Sequence, residues 1–266
     1  LNSMANGRII RELGYPLYVH PAAGDAGGAL GAALYHQICT CKKPRPKPLT
    51  KAYLGKGYGD DAIRATLENA AISTFTHIKD DEELYARTAQ LLQDGKVVGW
   101  FQDRFEWGPR ALGARSILGN PTLPTMRRTI NEKIKFREPF RPFAPAVLAE
   151  RAPDFFEMNA PTNTSQPEYF MLAVHPVRQE KQSVIPAVTH VDGTARVQLL
   201  APDQGRFRKL VEAFDHLTGI PVLLNTSFNR RGEPIVASPQ DALTTFFWSG
   251  LDHLVISNFI VNKDSF

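Results

Sequence analysis

Residues 96–121, KVVGWFQDRFEWGPRALGARSILGNP, set a short apolar run against a loop crowded with Gly, Pro and Arg. The run KVVGWF is compact and β-branched, which reads as a buried strand. The residues after Phe101 read as a strand-end loop, and such loops carry the ligands of most α/β sheets. Outward from this point strands and helices alternate. Residues 80–95, DDEELYARTAQLLQDG, have acids in the first turn, apolar positions at Leu84, Ala89, Leu91 and Leu92, and Gly95 as a stop, which predicts a helix. Met126, Ile130 and Ile134 share one face of a second predicted helix. Residues 168–177 and 220–225 read as strands, 205–219 as a helix ending at Gly219, and 252–261 as a closing strand. Ser238-Pro239 predicts an N-cap with proline in the first helical position. Alternation around Asp192-Gly193 in 187–200 predicts a hairpin. Together these signals predict an α/β domain built on a mixed, twisted sheet with flanking helices.

The chain has 266 residues, 43% hydrophobic and 22% charged, enough for one large core or two smaller ones. No apolar run approaches the roughly 18–20 residues of a membrane span. Cys39 and Cys41, the two cysteines, are too close for an unstrained disulfide and too few for a zinc site, so free thiols in a reducing cytoplasm are expected. Residues 1–9, LNSMANGRI, carry neither a leading Met nor a signal-peptide pattern and read as the interior of a domain. The expected organisation is a small piece over 1–40, a solvated Pro/Lys/Gly-rich connector over 41–77, and a main domain over 78–266.

Charge singles out one window. Residues 104–141 hold nine Lys/Arg and three acids, +6, against +4 for the whole chain, so the remainder sums to −2. Such a block suits a nucleic-acid surface, a membrane-facing stretch or a pocket for a small polyanion. It lacks any helix-turn-helix, zinc-finger or base-stacking signature. Arg110 follows the strand KVVGWF, Lys135 falls in the last turn of its predicted helix, and Arg137 and Arg141 lie in an extended segment stiffened by Pro139 and Pro142. Rigid loops holding guanidinium groups suit a bidentate grip on phosphate. Arg127, Arg128 and Lys133 read instead as a solvated helix face. Thr194, Arg196 and Gln198 share one face of the strand after the Asp192-Gly193 turn, either a wet face or a pocket wall. Asn225, Thr226 and Ser227 follow a buried strand and offer short donors and acceptors to a nucleoside or triphosphate, or make an ordinary turn. Ser227 lacks the G-x-S-x-G elbow of a nucleophile and reads as a binding hydroxyl. Asp25 opens a Gly-rich run, and one carboxylate does not make a metal site.

Several blocks together resemble one family. Residues 99–121, 131–145, 185–198 and 221–236 are similar to the C-terminal half of the nodulation-factor and antibiotic O-carbamoyltransferases, and 1–9 with 21–34 (PAAGDAGGALGAAL) to the end of that family's N-terminal half. The resemblance implies an actin-like domain that transfers a carbamoyl group to a substrate hydroxyl around an iron-type metal. It implies a second, YrdC-like domain that makes carbamoyladenylate from carbamoyl phosphate and ATP with Mg²⁺. By position, the donor site falls on Arg110, Lys135, Arg141, Asn225 and Ser227, with Thr226, Thr194 and Arg196 as further nucleotide contacts, and Asp25 matches the metal-binding aspartate. No His-x-x-x-His occurs in the chain, so the paired histidines of that metal site are absent and residues 1–40 are expected as a strand–helix remnant. The partners implied are carbamoyl phosphate, ATP and a hydroxyl-bearing acceptor; neither membrane nor nucleic acid is expected. The rival readings are a threonylcarbamoyl-AMP synthase of the YrdC type and a non-catalytic RNA-binding YrdC-like domain.

Overall fold

The computed structural model describes residues 1–72, 75–159 and 167–263. Among these the strands are β1 (Phe75–His77), β2 (Val98–Phe101), β3 (Arg115–Gly119), β4 (Ala144–Leu148), β5 (Ala173–Pro176), β6 (Thr194–Leu200), β7 (Val222–Ser227), β8 (His253–Ile256) and β9 (Phe259–Asn262). The helices are α1 (Ser3–Arg8), α2 (Gly28–Tyr35), α3 (Asp60–Asn69), α4 (Asp81–Gln93), α5 (Met126–Lys133), α6 (Ala152–Phe155), α7 (Gln179–Gln182), α8 (Gly205–Thr218) and α9 (Pro239–Phe247).

The strands form one mixed sheet in the order β1-β9-β8-β2-β3-β7-β4-β6-β5. β2 runs parallel to β8 and β4 parallel to β6, while the other neighbours are antiparallel. Period-two alternation sorts the side chains onto two cores. Phe101, Ile117, Val147 and Leu224 pack with α3, α5 and α9, through Ile63, Ile130 and Phe246. Val98, Trp100, Leu118, Leu200 and Leu223 pack on the other face with α4 and α8, through Leu84, Leu210 and Phe214. The result is helices on both faces of a mixed sheet, the architecture expected.

Local chemistry fixes the helix ends. Asp80 caps α4 by accepting from Glu83 N at 3.2 Å, and Gly95 follows at φ 79°. Ser238 and Asp241 form a reciprocal capping box on α9 with Pro239 in the first helical position. Gly219 ends α8 in the left-handed region at φ 74°.

Four expectations are corrected. The Asp192-Gly193 turn forms, but its first arm stays irregular; β6 pairs with β5 and β4 instead. The closing strand is two strands, β8 and β9, reversing at Ser257-Asn258. Residues 167–170 make a single 3₁₀ turn before β5. The connector is solvated only in part: α3 and β1 fall within it, and β1 adds to the sheet edge on β9. Its middle is stitched down by Trp107 N to Ala52 O at 2.7 Å and Gly55 N to Phe105 O at 2.8 Å.

Residues 1–40 are two helical pieces, 3–13 and 25–40, joined by irregular chain and turn, with no strand. α1 lies against β5: Asn6 Nδ2 donates to Leu172 O at 2.8 Å, and a Cβ on Gly7 would stand 2.2 Å from Val174 O. α2, GALGAALY, buries none of its residues. No helix among the described residues is long and apolar enough to cross a membrane.

Candidate anion-binding site

Beyond the ends of α4 and α8 the sheet face is covered by the loop 102–114. Glu106 shapes that loop. Its buried Oε1 accepts from the amides of Leu112 (2.8 Å), Ala114 (2.7 Å) and Arg115 (3.1 Å), so the chain curls around a carboxylate. From beneath, Gln198 Nε2 and Tyr53 Oη both donate to Leu112 O, at 2.7 and 2.8 Å, and Asn225 Nδ2 donates to Ala111 O at 3.2 Å. Asn225 and Gln198 also meet at 2.6 Å across β4, where Ala144 and Ala146 occupy the positions opposite them and leave room. The loop is thus held by its amides from one side and its carbonyls from the other.

Arg110 rides on this loop. Its buried Nε has no hydrogen-bond partner among the described residues, and burial lowers its pKa. Arg196 of β6 has a buried, unpartnered Nε as well; burial, then the charges of Arg110 and Arg137, push its pKa down to about 10. Lys135 stands just beyond α5, where Phe136 breaks the helix at φ 46°. Its buried Nζ donates to Ser227 O, Ser227 Oγ (3.3 Å), Asn229 O (2.9 Å) and Asn229 Oδ1 (2.8 Å). Burial, then Arg137, push its pKa down to about 7. Arg137 is fixed by Nε to Asn131 Oδ1 at 2.7 Å and by its stacking over Phe143.

These four cations form a connected electrostatic set, Lys135 to Arg137 to Arg196 to Arg110. Among the described residues none of them forms an ion pair with an acid, whereas Arg8, Arg87, Arg128, Arg141 and Arg151 each do. A partly dry cluster of unpaired cations repels itself. An anion with several charged oxygens relieves that repulsion and meets the unpartnered guanidinium nitrogens.

The other expected site residues fare differently. Arg141 is exposed and pairs with Glu138 at 3.0 Å, on the rim. Ser227 shares the site face, and its Oγ donates to Asn229 Oδ1 at 2.7 Å. Strand alternation turns Thr226 to the opposite face. Asn225, 1% exposed, has its amide spent beneath the loop, leaving Oδ1 buried without a partner. Thr194 is taken up by its turn, with Oγ1 donating to Asp192 Oδ1 at 2.7 Å. Asp25 is exposed, and no group of three His, Cys, Asp or Glu able to hold a metal occurs among the described residues. The residues present therefore do not fit an iron-type metal. Arg127, expected on a solvated face, donates to Thr189 O at 3.2 Å.

Sequence reasoning passed over Asn229 and Asn131, and it placed Arg137 in the stiffened loop and Gln198 on a strand face without assigning either to the site. The usable signal was spacing: Lys135-x-Arg137 and Ser227-x-Asn229 repeat at two, which places each pair on one side of an extended segment.

Fold and site define an α/β protein with a cluster of cations, none of them paired with an acid among the described residues, beside one end of its sheet. The chain belongs to the carbamoyltransferase family: the model of the carbamoyltransferase C-terminus matches residues 89–263. It is 43% identical over 99% of its length to the protein sll1178 of Synechocystis, of which it covers 46%. It is 42% identical over 98% of its length to nodulation protein NolNO of Sinorhizobium fredii, of which it covers 38%. The chain thus spans less than half the length of these relatives. A solved structure, Sua5 of P. abyssi with L-threonine, aligns over 62% of the chain and 44% of its own at 19% identity and a TM-score of 0.44.

Proposed function

We propose that this chain makes the activated donor of a carbamoyltransferase: carbamoyladenylate, formed from carbamoyl phosphate and ATP and passed to a hydroxyl of a small-molecule acceptor. The observation that carries the reading is the cluster of Lys135, Arg137, Arg196 and Arg110, unpaired with any acid among the described residues, with Arg110 carried on a loop locked from both sides. In the reaction, water releases phosphate from carbamoyl phosphate to give carbamate. A carbamate oxygen then attacks the α-phosphorus of ATP, and the bond to the β-phosphate oxygen breaks to release pyrophosphate. The substrates are anions that repel one another, and attack on phosphorus asks the protein for positioning and charge neutralisation, not for a nucleophile. Lys135, Arg137, Arg196 and Arg110 would neutralise the phosphates, Ser227 would orient an oxygen, and Arg141 would close the rim. Mg²⁺ would arrive with the nucleotide. Membership of the carbamoyltransferase family supports a transferase. The two exposed free thiols fit a reducing cytoplasm. Asp25 stands apart from this chemistry, and the acceptor step lies with other parts of the longer relatives.

The test is carbamoyl-phosphate-dependent pyrophosphate release from ATP, with mass spectrometry for the adenylate. Lys135→Ala should abolish it with the fold intact, a loss of about 2–4 kcal/mol in the transition state by analogy with lost oxyanion donors. Arg128→Ala is the control: its side chain is 74% exposed and pairs only with Glu132 on its own helix. Wild-type turnover in the lysine variant, or salt-steep RNA binding without turnover in the unaltered chain, would sink the assignment.

A further inference from the structure

The rim of the cation cluster carries a side chain that its own loop does not need. Phe140 is 70% exposed, yet the backbone on both sides of it is clamped. The buried amide of Asn131 donates to Pro139 O at 3.2 Å and to Arg141 O at 2.9 Å, one clamp on each side of Phe140. The other end of the same amide accepts from Arg137 of the cluster. Pro139 and Pro142 bracket the residue and remove what backbone freedom is left. Next to it, Arg141 lies within electrostatic reach of Arg137. A large apolar group held rigidly in water is costly to leave uncovered and well prepared to cover something, because little entropy remains to be lost on contact.

The neighbourhood says what kind of group that is. One buried asparagine ties the backbone flanking Phe140 and the Arg137 guanidinium into a single unit, so the ring stands at a fixed place beside the cluster. We propose that Phe140 is the platform on which the base of the nucleotide stacks while its phosphates lie on the cluster. The assignment rests on the reading that nucleotide phosphates occupy that cluster. An aromatic ring stacks on any base, so it confers preference for a nucleotide over a bare polyphosphate and little choice among bases.

The test compares the affinity of the chain for ATP and for inorganic tripolyphosphate, both with Mg²⁺, by calorimetry. The unaltered chain should bind ATP more tightly. Phe140→Ala should weaken ATP roughly 5- to 100-fold, to the level of tripolyphosphate, and leave tripolyphosphate unchanged. Phe140→Tyr should restore ATP binding. Unchanged ATP affinity in the alanine variant overturns the proposal. Equal weakening of both ligands also overturns it, by showing that Phe140 supports the cations and not the base. If the unaltered chain binds tripolyphosphate and ATP equally, the phosphate site stands and the base platform falls. If it binds neither, the phosphate reading fails first.

Discussion

Lys135 sits near the midpoint of its own titration at neutral pH, its pKa pushed down to about 7 by burial and by Arg137. A bound polyanion favours the ammonium form, so binding above that pKa must take up a proton. Calorimetry at about pH 8 in two buffers of different ionisation enthalpy should show that uptake, and at about pH 6 it should vanish. Equal heats in both buffers at the higher pH would remove Lys135 from the ligand's surroundings. Stability carries the same signature with a definite sign. The folded pKa lies below the unfolded value, so between about 7 and the ordinary lysine value of 10.5 the unfolded chain holds the extra proton and stability rises with pH. Charge and loop stiffness in the sequence singled out Arg110 and Lys135, two members of the cation cluster. They could not tell Asn225 and Thr194, whose donors are spent on neighbouring groups of the chain, from Asn229, which holds the lysine, because polarity does not say where a hydrogen bond goes.

Among elements, the loop 102–114 does most to build the site, and one glycine fits it to α8. Gly113 lies at φ 112°, and a Cβ there would stand 2.0 Å from the buried ring of Phe207. Gly113→Ala should therefore cost about 3 kcal/mol from strain and overlap together. Urea denaturation should show a lower midpoint with an unchanged slope, and a midpoint equal to that of the unaltered chain would refute the fit. Long periodic elements such as α4, α8 and β7 were legible because burial and period agree. β3 was not, since RSILG is embedded between glycines and reads as loop. The β8–β9 reversal was hidden for another reason. Ser257 takes φ 47° without being glycine, and Asn258 secures the turn by donating to Ile78 O at 3.0 Å and Asp81 Oδ1 at 2.9 Å, partners far away in sequence.

Over the whole molecule, residues 1–40 are attached unevenly. α1 is pinned to β5 through Asn6, Gly7 and Arg11, and Gly108 of the site loop is so close to Pro21 that a Cβ would stand 2.6 Å from its carbonyl oxygen. α2 has no buried residue and contains two glycines, each worth about 1 kcal/mol against a helix. Native-state hydrogen exchange should find the amides of α1 slow and those of α2 close to unprotected. Comparable protection in both would mean that α2 is stabilised by contacts other than those described. Composition suggested a small first piece, a connector and a large domain, but α3 and β1 of that connector join the main body. It could not show how firmly the first piece is held, because that depends on single close approaches such as Gly7 on Val174.

The bare α2 also governs how the chain behaves as a colloid. Leu30, Leu34 and Tyr35 are at least partly open to water on a helix that carries no charge from Gly28 to Tyr35. Nothing there repels a second molecule, so self-association on concentration should begin at this helix and not at the basic rim, where like charges keep copies apart.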